Sequence, residues 1–237
     1  MNLTPELHRI WVSNFFKGKI EEFGFHLRWI VRCCDESIET LRMGLNQPES
    51  AHAEVPFAFS SFSNAVQTLK DAGSTFLDPK ITWTDIGQLR HGEFMRMSRN
   101  AATHDGNPMI SVWADGHFYV PAEIRRFDNR GALIQIPAPE QDVRTFCLEF
   151  ALDFSEYLSS KLGPFEHVEG PKLDLSHVEK GLQSPFVPDF ARKLLKENRS
   201  HIEQALQEAK VYPAKEAIGA LNEMRSFCIA QLETSPS

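Results

Sequence analysis

The sequence predicts a mainly α fold: an antiparallel helical bundle with a small antiparallel β-meander inserted in it and extra helices at the C-terminal end. Three observations carry that expectation. Apolar residues recur every three or four positions over long stretches, the period of one helix face. Between about residues 109 and 137 the period falls to two around turn-forming pairs, the mark of strands. At 237 residues and 42% hydrophobic composition, the chain can bury one sizeable core and still carry an appended element.

The first helix is expected from Phe16 through Ile20, Phe23, Leu27, Ile30, Cys34, Ile38, Leu41 and Leu45, ending at Asn46, Gln47 and Pro48. Proline disfavours a helical predecessor and supplies no backbone donor. A second helix carries Phe59, Phe62, Val66 and Leu69 on one face, with small Ala58, Ser61 and Ala65 beside them, and stops near Gly73. Past Asp78 and Pro79, a third runs from Trp83 to His104 with Thr82 or Thr84 as its cap. Its stripe is Trp83, Ile86, Arg90, Phe94, Met97 and Ala101, and a start near Gly92 is the alternative, because Arg90 interrupts the apolar face. Gly106, Asn107 and Pro108 close it.

Asp115 and Gly116 form a hairpin-turn pair, and counting outward from them aligns Ala114 with His117, Trp113 with Phe118 and Val112 with Tyr119. A second turn at Asp128 to Gly131 leads into Ala132 to Ile136. A fourth helix buries Val143, Phe146, Cys147, Phe150, Phe154 and Leu158 and ends at Gly163 and Pro164. Residues 164–188 hold four of the fourteen prolines with little periodicity and are expected to be a linker. The organisation read from this is a helical domain over 1–163, the β insert at about 109–137, the linker, and a C-terminal helical element over 189–237. That element has helices at about 189–210 and 214–233, broken by Pro213.

Composition narrows the function classes. No apolar run approaches the roughly 18 to 20 residues that span a bilayer, and the N-terminus lacks the basic-then-apolar layout of a signal peptide, so a cytoplasmic protein is expected. Cys33, Cys34, Cys147 and Cys228 make neither a zinc spacing nor a disulfide framework and are expected to be reduced. A formal net charge of −7 argues against a duplex-coating protein, leaving any nucleic-acid site to a local basic patch.

Chemistry concentrates in Arg99-Asn100-Ala101-Ala102-Thr103-His104, at the end of the third helix. Asn100 and His104, four apart, share a face, whereas Arg99 and His104 differ by about 140° on an ideal helix. His104 extends the stripe of Met97 and Ala101 toward other helices or a subunit interface. Histidine titrates near neutrality and can move a proton, and arginine offers a permanently charged planar fork that matches phosphate oxygens. The rival reading of His104 is a core histidine bonded to a carbonyl near a helix end, and Arg99 alone would be a surface cation.

This pattern resembles the HEPN superfamily of helical bundles, which bear an arginine, four to six residues and then a histidine, often with a polar residue after the arginine. The match is Arg99, Asn100 and His104, supported by the Phe-rich FAFSSFSNAVQTL segment, and covers about Phe15 to Leu162. The resemblance implies a metal-independent endoribonuclease of toxin or defence type, acting as a homodimer with two motifs facing one cleft. It would need no cofactor, and a cognate antitoxin or regulator is a further possible partner. It equally admits a catalytically silent module that binds nucleotide or RNA or serves as a dimerising scaffold. The third alternative is a helical protein whose motif is accidental.

Arg90 and Arg96 are candidate substrate contacts in the same cleft. Arg125 and Arg126, with Arg130, form a basic spot beside Phe118, Tyr119 and Phe127 that suits a nucleic-acid strand or, as the rival, a solvated loop face. His91, Glu93, His104, Asp105 and His117 contain metal-ligating types without a recognised ligand spacing.

Overall fold

A computed structural model describes residues 4–47, 50–105, 109–127, 130–170 and 175–234. Five long or central helices form the bundle: α1 (Pro5–Arg42), α2 (Ala51–Phe76), α4 (Gly92–Asp105), α5 (Val143–Leu162) and α9 (Pro213–Glu233), with a short α3 (Trp83–Gly87) before α4. Two hairpins, β1 (Val112–Ala114) with β2 (His117–Tyr119) and β3 (Ile124–Phe127) with β4 (Leu133–Ile136), lie between α4 and α5. Three short helices, α6 (Leu175–Leu182), α7 (Asp189–Glu197) and α8 (Arg199–Glu208), precede α9. The chain is therefore mainly α with a small antiparallel β insert, as its periodicity predicts.

The expected apolar face of α1 is buried from Phe16 to Ile38. The helix is longer at its start than the pattern predicts, because Trp11 and Phe15 on the added turns face solvent and do not extend the stripe. It also ends earlier. Gly44 adopts φ 67°, its N–H bonds the Leu41 carbonyl and the Leu45 N–H bonds that of Thr40, so a glycine cap closes the helix before Pro48 is reached. Leu41 and Leu45, expected inside, are left exposed.

Aromatic packing ties the bundle together. Phe23 of α1 stacks on Phe62 of α2 at 4.8 Å and meets Phe154 of α5 edge-on at 5.8 Å, while Phe150 stacks on Phe154 at 5.4 Å. Offset and edge-to-face geometries suit the ring quadrupoles and add to the burial of area. The start of α5 is held by Arg144, whose side chain is 4% exposed; its Nε donates to Asp35 of α1 at 2.7 Å and its Nη2 to the Gln231 side chain of α9. The segment after the proline-rich stretch thus divides: α9 buries Ala217, Leu221, Met224 and Cys228 in the bundle, whereas α7 and α8 bury no residue.

The first hairpin has the expected register, Ala114 opposite His117, Trp113 opposite Phe118 and Val112 opposite Tyr119. Asp115 and Gly116 both have positive φ, 51° and 82°, the turn that matches strand twist. It docks on α1, where Ser37 donates to the Gly116 carbonyl at 2.8 Å and accepts from the Trp113 indole at 2.9 Å. The expected single meander is instead two separate two-stranded sheets among the described residues. Asp128 and Asn129 of the second turn lie outside those residues.

All four cysteines are free and buried. Burial pushes the Cys33 thiol up to about 11 and that of Cys228 to about 12, and Cys34 and Cys147 are raised as well. Because the thiolate is the nucleophile, a raised pKa together with burial protects the thiol. Iodoacetamide at pH 8 should leave the native chain unlabelled by mass spectrometry and modify four sites once the chain is unfolded in urea. Rapid native labelling would contradict this packing.

Candidate functional site

The site is built on α4, whose position is set by the break before it. Of the two expected starts the structure takes the one at Gly92: the chain turns at His91, which adopts φ 60°, and α4 begins after it. Thr82 caps α3 in a reciprocal capping box with Asp85, and the Tyr157 hydroxyl also donates to the Asp85 carboxylate at 3.2 Å. A Cβ at Gly92 would overlap the Ile86 carbonyl oxygen, so this close turn requires glycine. Gly92→Ala is expected to cost more than about 1 kcal/mol in urea unfolding, because an incompatible backbone site loses more than the usual entropic gain returns. An unchanged midpoint would contradict the tight turn.

The expected stripe is kept in part across the break, with Ile86, Phe94 and Ala101 buried. Among the described residues of α4, Gly92, Phe94, Met95, Ser98 and Ala101 are buried and Met97 is only partly covered. The expectation that His104 extends this stripe falls on a side chain outside the described part of the structure. Arg99 and Asn100 lie off the buried stripe and are half-buried. α4 remains helical through Asp105, so the backbone keeps Asn100 and His104 one turn apart. The side chain of His104 lies outside the described part of the structure.

Arg99 and Asn100 are brought together: the Arg99 Nη1 donates to the Asn100 Oδ1 at 3.0 Å. The Arg99 Nε is shielded from solvent and has no hydrogen-bond partner among the described residues. Asp71 of α2 completes the local electrostatics. Burial opposes its ionisation, but hydrogen bonds from Lys70 and Gln67 and the Arg99 charge outweigh that and hold the carboxyl below its ordinary range. Gln67 is itself oriented by the Trp83 indole, which donates to its Oε1 at 3.2 Å. Asp71 was not among the residues expected here; the packing of α2 brings its carboxylate within the field of Arg99 and leaves no mark on the local pattern, and Gln67 and Trp83 are hydrogen-bonded behind it.

Arg90 does not join Arg99. Its guanidinium donates to Glu149 at 2.9 Å and to Asp153 at 2.9 Å, both on α5, which explains a cation on the apolar stripe. The His91 Nε2 sits 2.7 Å from the other Glu149 oxygen. Arg96 pairs with Glu93 one turn back at 2.6 Å. Arg125 donates to Glu123 at 2.7 Å, and Arg126 also has an interaction within the fold. Among the described residues, no three His, Cys, Asp or Glu side chains converge to hold a metal ion. No described helix is long and apolar enough to cross a membrane. Compared with known proteins, the chain matches no family model, no curated protein and no solved structure.

Proposed function

We propose that the chain is a metal-independent endoribonuclease of the HEPN type, with Arg99 stabilising phosphate charge and His104 moving the proton. The observation that carries this reading is the state of Arg99: Asn100 orients the guanidinium from one side, while a buried Nε donor is left without a partner. Buried donors are nearly always satisfied, and an unpaired one on the motif's own arginine supports a site that accepts an incoming group there. A phosphate oxygen is an acceptor of the right charge and shape for that fork.

In the reaction the RNA 2′-hydroxyl attacks the adjacent phosphorus. His104 takes its proton or delivers one to the departing 5′-oxygen, and Arg99 stabilises the charge that builds on the non-bridging oxygens. The bond formed is between the 2′-oxygen and phosphorus, and the bond broken is between phosphorus and the 5′-oxygen. The products are a 2′,3′-cyclic phosphate and a 5′-hydroxyl. DNA of the same sequence lacks the nucleophile. Single-stranded RNA should therefore be cut and the matching DNA left whole; equal cutting of both would overturn the reading.

Arg125 and Arg126 are substrate contacts in this scheme. Replacing both with alanine should weaken binding to all sequences alike and flatten its dependence on salt by about one to two units of log–log slope. Filter binding across a salt series measures this, and an unchanged slope would return the pair to the solvated surface. The second reading is a silent HEPN-like module that dimerises or holds a partner. The observation favouring it is the amount of apolar surface exposed on α7 and the segment before it.

A further inference from the structure

A cavity of about 220 Å³ opens at one end of the bundle, where the start of α1, the end of α2, the end of α5 and the start of α9 converge. Its floor is apolar: Phe16, Leu77, Leu162 and Ala217 are buried, and the Phe16 ring meets that of Phe76 edge-on at 5.1 Å. Packed interiors hold few voids larger than a water molecule, so a space of this size needs a cause. The cause lies on α9, which lines the cavity with Ala214 and Ala217 and leaves unfilled the room that larger side chains would take. One wall is also fastened in place. The Gly170 N–H donates to the Val211 carbonyl at 2.7 Å, and a Cβ at Gly170 would lie 2.9 Å from the Pro213 ring, so the chain after α5 is pressed against the start of α9.

The polar groups of the cavity are few. Arg9 and Glu169 line it and are exposed, which places one positive and one negative charge at its mouth. The Ser13 hydroxyl gives its proton to the Ile10 carbonyl at 2.8 Å and keeps its lone pairs for an incoming donor. A mouth of mixed charge over an apolar floor is complementary to a zwitterion with an apolar tail. A fatty acid would bring its carboxylate beside Glu169 with nothing to offset it, and an amine without a carboxylate would bring like charge to Arg9. Size narrows the class further: about 220 Å³ gives room for roughly ten non-hydrogen atoms. That suits an amino acid with a branched or aromatic side chain and is too small for a nucleotide.

We infer that this cavity binds a free α-amino acid with a branched aliphatic or aromatic side chain. Its carboxylate pairs with Arg9, its ammonium donates to Glu169 and Ser13, and its side chain lies on the Phe16–Phe76 floor. Few, well-placed polar groups around an apolar hollow are the usual make-up of a small-molecule site, the apolar part supplying affinity and the polar part orientation. The start of α9 adds to the positive side of the mouth, because Pro213 and Ala214 line the cavity and Tyr212 gives that helix no side-chain cap. A ligand seated there touches four helices that belong to one core, so binding stabilises the folded chain. The site is separate from Arg99 and His104, and binding holds whether or not they cut RNA.

The test titrates the full chain with L-leucine, L-isoleucine and L-phenylalanine by isothermal calorimetry. At least one should bind with a Kd of about 10 micromolar to 1 millimolar, the affinity open to so small a ligand. At about 5 millimolar it should raise the thermal midpoint by at least about 2 °C. Leucinamide, which lacks the carboxylate, and isocaproate, which lacks the ammonium, should each bind at least about tenfold more weakly than leucine, since each leaves one charge of the mouth unmatched. Arg9→Gln should remove the advantage of leucine over leucinamide. Ala214→Phe should fill the cavity and abolish binding. Arg9 is exposed, so its readout stands even if Ala214→Phe fails to fold. No heat with any of the three amino acids, equal binding of leucine, leucinamide and isocaproate, or an Arg9→Gln chain that keeps the preference for leucine would overturn the inference.

Discussion

Arg99→Ala and His104→Ala should each lower the rate of single-stranded RNA cleavage by about 100- to 10,000-fold, the range for loss of a general acid–base or of a charge-stabilising donor. The two roles are not interchangeable, so neither residue rescues loss of the other. Arg99→Lys separates charge from geometry: a lysine keeps the cation but not the planar fork, and its loss should fall between those of wild type and alanine. Arg99 is only half-buried and lies off the buried stripe of α4, so circular dichroism and thermal midpoint of Arg99→Ala should stay close to wild type. Undiminished cleavage by the His104 variant would remove the mechanism, whatever the Arg99 result.

A second large effect is expected in the core. Phe62 is fully buried and touches both Phe23 and Phe150, so it joins α1, α2 and α5 at one point. Phe62→Ala removes a ring that the surrounding helices cannot replace and should cost about 3 to 5 kcal/mol. For a chain of this size that lowers the thermal midpoint by roughly 10 °C. Phe190→Ala, by contrast, should change stability by less than about 0.5 kcal/mol, since the ring is already in solvent. Calorimetry on the two variants distinguishes them, and similar losses would contradict the division between a packed bundle and an outward-facing arm.

Much of the bundle was legible because burial and helical period coincide. Phe16 to Ile38, Phe59 to Leu69 and Val143 to Leu158 each read correctly from spacing alone. The first hairpin was legible to the residue, since Asp115 and Gly116 are suited to the positive φ their turn needs. What escaped had a physical reason in each case. The early turns of α1 carry outward Trp11 and Phe15, so periodicity does not register them. The break before Gly92 was legible in part, through Arg90 interrupting the apolar face, whereas the angle at His91 and the close approach of Gly92 to Ile86 leave that pattern unaltered. In α4 the expected Phe94 and Ala101 are buried, while Met95 and Ser98 share the burial and Met97 is only partly covered.

The candidate site was legible in part. Arg99 and Asn100 are adjacent in sequence, and their hydrogen bond needs only a helix. Asp71 comes from α2 and interacts with the Arg99 charge through tertiary packing, with Gln67 and Trp83 bonded behind it. Arg90 shows the same limit. Its partners Glu149 and Asp153 lie 59 and 63 residues away, so nothing local distinguished an inter-helix ion pair from a substrate contact.

The central proposal is cleavage by the RNA's own hydroxyl at Arg99 and His104, and the chemistry of the cut ends tests it most directly. Purified chain is incubated with an end-labelled single-stranded RNA in excess chelator, and the products are resolved by mass spectrometry. The account predicts a 2′,3′-cyclic phosphate on one fragment and a 5′-hydroxyl on the other, with both absent from the His104→Ala reaction. A 5′-phosphate with a 3′-hydroxyl, or cleavage abolished by the chelator, would contradict it.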